Sequence, residues 1–204
     1  MAQTYQDTAL KTPEQAAPTV GDPAPLGLAG FAFTTALLML VKTQILPEGD
    51  TVLVLSMALA FGGLAQFVAG MWAFRRGNTF AGTAFTAFGA FWLSFYLLVV
   101  VFIPLVPKTA GAHDVSNFVG WYELLWGVFT AYMFIASLAG ARAIQAVFAL
   151  LAITFVVLAI GDFTTTTGIT QVGGYIGFAT ALAAIYASFA DVTNANFKRR
   201  VLPT

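Results

Sequence analysis

Six apolar stretches, each long enough to cross a lipid bilayer, occupy 26–46, 52–74, 80–103, 119–139, 144–161 and 170–189, and the short connections between them hold nearly every charge. A hydrocarbon core about 30 Å thick needs roughly 20 helical residues at 1.5 Å apiece. Lipid offers no hydrogen bonds to the backbone, so spans of this length and composition are helices. With 59% hydrophobic and 9% charged residues, the chain has too little polar surface to cover a soluble globule. The sequence therefore predicts an all-α membrane protein with one six-helix transmembrane domain over 26–190. A polar, proline-bearing tail (1–25) precedes it and a basic tail (191–204) follows. The eight prolines all fall outside the six spans, as expected where a missing N–H would break a helix.

Basic residues set the orientation, because translocated loops tend to lack Lys and Arg. With alternating spans, Lys11, Arg75, Arg76, Arg142, Lys198, Arg199 and Arg200 share one side, against Lys42 and Lys108 on the other. This bias places both termini in the cytoplasm of a multi-pass plasma-membrane protein. The first 25 residues lack the basic-then-apolar order of a secretory signal.

Several function classes are excluded by absence. Zero cysteines rule out disulfides and thiolate metal sites, the one histidine, His113, falls in a polar loop, and zero net charge offers no nucleic-acid surface. No nucleophile–base pair, metal set or haem ligand stands within the spans, so no enzyme, catalytic residue or cofactor is expected. No lysine sits at a span centre to form a Schiff base. A pathway or a scaffold remains.

The polar groups within the spans are then the candidates for such a pathway. Gln66, between Gly62 and Gly70 on one helical stripe, either faces a pore or bonds a neighbouring helix. Thr79, Thr83 and Thr86 follow an i, i+4, i+7 pattern that gives a hydroxyl face, or else satisfy their own carbonyls. Asn78 precedes them. Glu123, one turn into the fourth span near its outer end, reads either as a mouth residue or as an interfacial carboxylate reaching water. Glycines seven apart (Gly63/Gly70, Gly82/Gly89, Gly120/Gly127) share helix faces and predict close helix packing.

The segment DPAPLGLAGF from Asp22 resembles the NPAPLGL signature of the acetate uptake transporter family, which includes the bacterial succinate–acetate permeases. GGLAQFVAG from Gly62, GNTFAGTAFTAFGAFWL from Gly77, LWGVFTAYMF from Leu125, GARAIQ from Gly140 and AIYASFADVTNANFKRRVLP from Ala184 resemble further family segments in order. The resemblance covers roughly Gly21 to Pro203. It implies a six-helix protomer with its own pathway, a central fifth helix and a ring-shaped hexamer in membrane lipid, moving acetate and in some members succinate. It also implies a constriction at Phe31, Phe88 and Leu151. Three departures stand out: Phe88 replaces a common tyrosine, Asp22 replaces the signature's asparagine, and Ala73 stands where many relatives carry glutamate.

Counting at 1.5 Å per residue from the basic ends of the predicted spans, Phe31 lies about 8 Å deep, Leu151 about 10 Å, and Phe88 and Gln66 about 12 Å. The four share one layer. Small carboxylic acids titrate near pH 4 and so travel largely as anions at neutral pH. In the expected mechanism Gln66, the threonine face and helix dipoles replace lost hydration while the ring limits size. Arg75, Arg76 and Arg142, with Asp22 nearby, form the inner mouth, and the arginines concentrate anions there. Two other readings stay open: a channel for a neutral solute such as urea or an amide, and a non-transporting scaffold. The residues leave undecided a passive anion channel and a proton-coupled permease.

Overall fold

A computed structural model describes residues 20–107, 109 and 111–203, so Lys11, Lys108 and the tail residues 1–19 lie outside the described residues. Six helices are long and apolar enough to cross a membrane: α1 (Ala24–Lys42), α2 (Glu48–Arg75), α3 (Thr79–Leu105), α4 (Ala112–Ser137), α5 (Arg142–Thr164) and α6 (Thr167–Phe197). Each packs on its chain neighbours, and α6 closes the circle onto α1. The α3 and α4 backbones make the sparsest junction of the circle. Side chains fill it: Phe88 and Phe91 of α3 meet Trp126 of α4 with ring centroids 6.0 and 5.2 Å apart.

Lipid tails are as apolar as leucine, so packing between these helices comes from close contact and not from escape from water. The glycines supply that contact. Along the α2–α3 pair, Gly63 lies against Leu93, Gly70 against Thr86, Gly89 against Phe67 and Gly82 against Phe74. Gly120 and Gly127 of α4 likewise receive Phe163 and Phe155 of α5. The spacing read from the sequence is thus a packing register.

Two helices carry wider turns. Ala58–Ala65 in α2 and Leu98–Phe102 in α3 are π-helical. Such turns re-aim the side chains that follow them, and Gln66 follows the first. Pro25 in the first turn of α1 and Pro104 in the last turn of α3 lie inside helices, which corrects the expectation that every proline falls outside them. At Pro25 the missing N–H is one that a helix start leaves unpaired, and Pro104 directly follows the wide turn Leu98–Phe102.

The ends differ from the predicted spans where polar residues continue a helix past the hydrocarbon. α4 begins at Ala112, where Asp114 accepts a bond from the Gly111 N–H at 3.1 Å and caps the first turn. His113 is therefore helical, not in a loop. α6 runs on to Phe197, into the segment read as a tail, and stops where Lys198 turns left-handed with φ 51°. The chain then folds back: Asn194 Oδ1 accepts from the Val201 and Leu202 N–H groups at 2.7 and 2.9 Å, and Tyr186 donates to the Pro203 carbonyl at 2.6 Å.

Candidate functional site

The bundle's interior holds three cavities in series. At the end bearing Arg76 and Asn78, a cavity of about 350 Å³ is walled by residues of all six helices, among them Leu28, Gln66, Ala84, Ser137, Leu151 and Asp191. A second, enclosed cavity of about 40 Å³ lies beyond it, with Phe31 and Leu151 in the walls of both. A third, of about 420 Å³, opens at the opposite end and shares Lys42, Phe95 and Val119 with the second.

The residues at the first junction come from three helices. Phe31 of α1, Phe88 of α3 and Leu151 of α5 are all buried in one cluster, and the Phe31 and Phe88 ring centroids are 5.7 Å apart. Phe88 is fixed from several sides, with Phe129 at 5.4 Å and Phe148 at 6.1 Å. With Phe31 and Trp126 it makes four tilted and edge contacts, and a large aromatic so held has little freedom to swing. All three residues line the first cavity.

Gln66 lines the same cavity, is only 1% exposed, and its Oε1 has no partner in the protein. Of the two readings left open for it, the cavity wall is the observed place. Asn78 both lines the cavity and caps α3, its Oδ1 accepting from the Ala81 N–H at 2.9 Å. The α3 face turned to the cavity is Phe80, Ala81, Ala84, Phe85 and Phe88.

That face corrects the expected hydroxyl stripe. Thr83 and Thr86 belong to none of the three cavity walls, and Thr86 packs against Gly70 of α2. The i, i+4, i+7 spacing was real, but Thr86 turns to α2 and not to the cavity. Thr79 lies outside the bundle interior, in an open hollow with Asp22, Arg76 and Asn78. Asp22 Oδ1 accepts from the Ala24 N–H at 3.0 Å at the start of α1, and Arg76 donates to the Val20 carbonyl at 2.8 Å. Arg75 and Arg142 are exposed at this end and belong to no wall of the three cavities.

Glu123 is not at a mouth. It is 8% exposed, walls the enclosed cavity, and its Oε2 has no protein partner. The predicted span began at 119, but α4 starts at Ala112 and carries Glu123 several turns into the helix. Sequence reasoning missed two further polar groups of this cavity. Thr35 and Trp92 both line it, and Thr35 Oγ1 and Trp92 Nε1 are likewise without protein partners. Leaving a buried polar group unpaired costs about 1–3 kcal/mol; with Asp162 Oδ2 in the outer cavity wall, five such groups lie along the line of cavities, and Thr34 and Thr86 lie away from it. The position of Thr35 and Trp92 beside the ring residues along α1 and α3 was the available signal: Thr35 is one turn past Phe31 and Trp92 one turn past Phe88.

An all-helical membrane protein with aromatic and polar groups lining an internal series of cavities is the class these features define. The chain belongs to the GPR1/FUN34/yaaH family, whose model matches residues 5–203. It is 42% identical over 186 residues to the succinate-acetate/proton symporter SatP of Escherichia coli (strain K12), covering 90% of this chain and 95% of that protein. It is 37% identical over 174 residues to the ammonia transport outward protein 2 of Saccharomyces cerevisiae, 84% of this chain and 61% of that one. A solved structure of the bacterial acetate channel SatP superposes with a TM-score of 0.82 at 38% identity, covering 90% of this chain and 98% of the other.

Proposed function

We propose that this chain carries acetate and related small carboxylates, succinate among them, across the membrane through the cavities inside each protomer. The observation that carries the reading is the ring of Phe31 and Leu151 standing between two internal cavities, with Gln66 on one side and Thr35 and Trp92 on the other. The family and the similarity to SatP supply the substrate class. The groups suit the chemistry. Acetate presents a methyl group, which an aromatic and aliphatic ring accepts, and a carboxylate, which takes hydrogen bonds from the Gln66 amide, the Thr35 hydroxyl and the Trp92 N–H. The Lys42 cation stands beyond the ring, in the walls of the second and third cavities, so at the ring itself the anion meets weak donors and is not trapped.

The exposed apolar surface supports assembly. Phe118, Trp121, Leu125, Val128 and Ile135 on α4 are all more than half exposed and face lipid or another subunit. A hexameric ring with both termini in the cytoplasm completes the reading, and α5 takes its place in the circle between α4 and α6, not at the centre. The basic residues Arg75, Arg76 and Arg142 then ring the inner mouth and raise the local anion concentration.

Purified protein in liposomes, followed with labelled acetate, tests the proposal. Uptake above protein-free liposomes, competed by excess unlabelled acetate and not by urea, is expected. Competition by urea alone would turn the reading to a neutral-solute channel, and no uptake would leave a scaffold.

A further inference from the structure

The first cavity is far larger than acetate needs, and its middle is apolar. One turn back from the ring residues, toward the Arg76 end, stand Leu28, Ala84 and Phe148; a further turn back stand Ala24, Phe80 and Ile144, and all six wall this cavity. The spacings of three or four residues, and then seven or eight, keep each set on the helix face that carries its ring residue. The apolar lining therefore runs two helical turns, about 11 Å, back from the constriction. Phe88 brings no hydroxyl to interrupt it. The cavity holds about 350 Å³ on this side of the ring, against about 40 Å³ beyond it.

The polar residues of the wall stand at its two ends: Asn78, Ser137 and Asp191 toward the Arg76 end, and Gln66 beside the ring. Ser137 Oγ donates to the Phe134 carbonyl at 2.6 Å and Asn78 Oδ1 accepts from the Ala81 N–H at 2.9 Å, so each serves the end of its own helix. Asp191 is half-buried and also borders the open groove that it shares with Asp22. Gln66 differs from these. It is 1% exposed, and its Oε1 has no protein partner. An amide donates through its nitrogen and accepts through its oxygen, so Gln66 suits a carboxyl head group, and the wall behind it suits an unbranched alkyl chain.

We propose that the first cavity is a binding site for straight-chain monocarboxylates longer than acetate, from butanoate to hexanoate. The carboxyl group sits at Gln66 and the chain lies back along Leu28, Ala84 and Phe148. An acid so bound excludes acetate from the route, which rests on the reading that the route carries carboxylates. Each CH₂ buried against such a wall tightens binding by up to about fourfold.

Protection of a single thiol tests the site in the purified full-length protein. The chain has no cysteine, so Ala84→Cys supplies the only one, and its reaction with a small water-soluble thiol reagent is followed with acetate, butanoate or hexanoate present. At about two- to fourfold per added CH₂, hexanoate protects at a concentration roughly 16- to 256-fold below that of acetate. Thr79→Cys, in the open hollow outside the bundle interior, reacts at a rate independent of chain length. In liposomes the same acids slow exchange of labelled acetate by the wild type in the same order. Protection that does not grow with chain length, or equal slowing at Thr79→Cys, overturns the site. Graded protection without slowing of a measurable acetate exchange overturns the exclusion of acetate. Should Ala84→Cys not fold, the wild-type exchange series decides, and inhibition that does not grow with chain length overturns the proposal. Wild-type exchange no greater than in protein-free liposomes, with graded protection intact, removes the carboxylate route while upholding the site, a distinct result.

Discussion

Replacing Gln66 with leucine separates a transport residue from a packing residue, because the two roles predict opposite changes in stability. Gln66 is 1% exposed and its Oε1 has no partner in the protein. Leaving that oxygen buried and unpaired costs about 1–3 kcal/mol. Leucine is close in volume, and such swaps cost less than about 1.5 kcal/mol in well-packed sites. The balance for Gln66→Leu runs from a loss of about 0.5 kcal/mol to a gain of about 3 kcal/mol. Transport moves the other way. A hydrogen bond to a charged group contributes about 1.5–3 kcal/mol, so losing it from the passing carboxylate slows flux by roughly ten- to hundredfold. Thermal unfolding of the purified variant, beside labelled acetate uptake per folded protein, reads both quantities. A fall in unfolding temperature of several degrees with a proportionate loss of uptake would falsify the assignment, and unchanged uptake would remove Gln66 from the route.

Two further substitutions probe the ring and the helix packing that holds it. Phe88→Ala removes a ring that touches Phe31, Phe129, Phe148 and Trp126; it lowers stability by about 3–5 kcal/mol and raises the uptake of acids bulkier than acetate per folded protein, and an unaltered preference among acids counts against the constriction. Gly70→Ala places a methyl group against Thr86 Oγ1 and the Thr86 backbone, so it destabilises by about 1–3 kcal/mol in thermal unfolding, and a neutral outcome contradicts the α2–α3 register.

Much of the fold was legible because a bilayer imposes one length scale. The six spans were found by hydropathy, and each corresponds to a helix. What hydropathy does not see is where a helix continues through polar residues. The first turn of α4, with His113 and Asp114, and the last turns of α6 are helical because caps and tertiary bonds satisfy them, not because they are apolar. That error at the start of α4 displaced Glu123 in the sequence reading to a mouth, when its place is the wall of an enclosed cavity.

The candidate site was legible in part for a similar reason. Phe31, Phe88 and Leu151 came from the family resemblance and Gln66 from its place on the Gly62–Gly70 stripe, and the structure brings them to one cavity. The threonine face of α3 did not, because periodicity identifies a stripe without saying which neighbour it meets. Thr86 meets Gly70, and the cavity takes the adjoining face through Ala84 and Phe88. Thr35 and Trp92 were invisible to a search for charged or amide groups, since a hydroxyl and an indole look unexceptional until their bonding partners are known.

The absence of cysteine makes the central claim, a solute route through the bundle interior, open to a direct measurement. Ala84 is 3% exposed and walls the cavity at the end bearing Arg76. In the variant Ala84→Cys, a small water-soluble thiol reagent applied from that side reacts with the only thiol in the chain. Labelled acetate flux through liposomes, measured before and after complete modification, should fall to the level of protein-free liposomes, with acetate slowing the reaction. Full modification with undiminished flux would contradict the account.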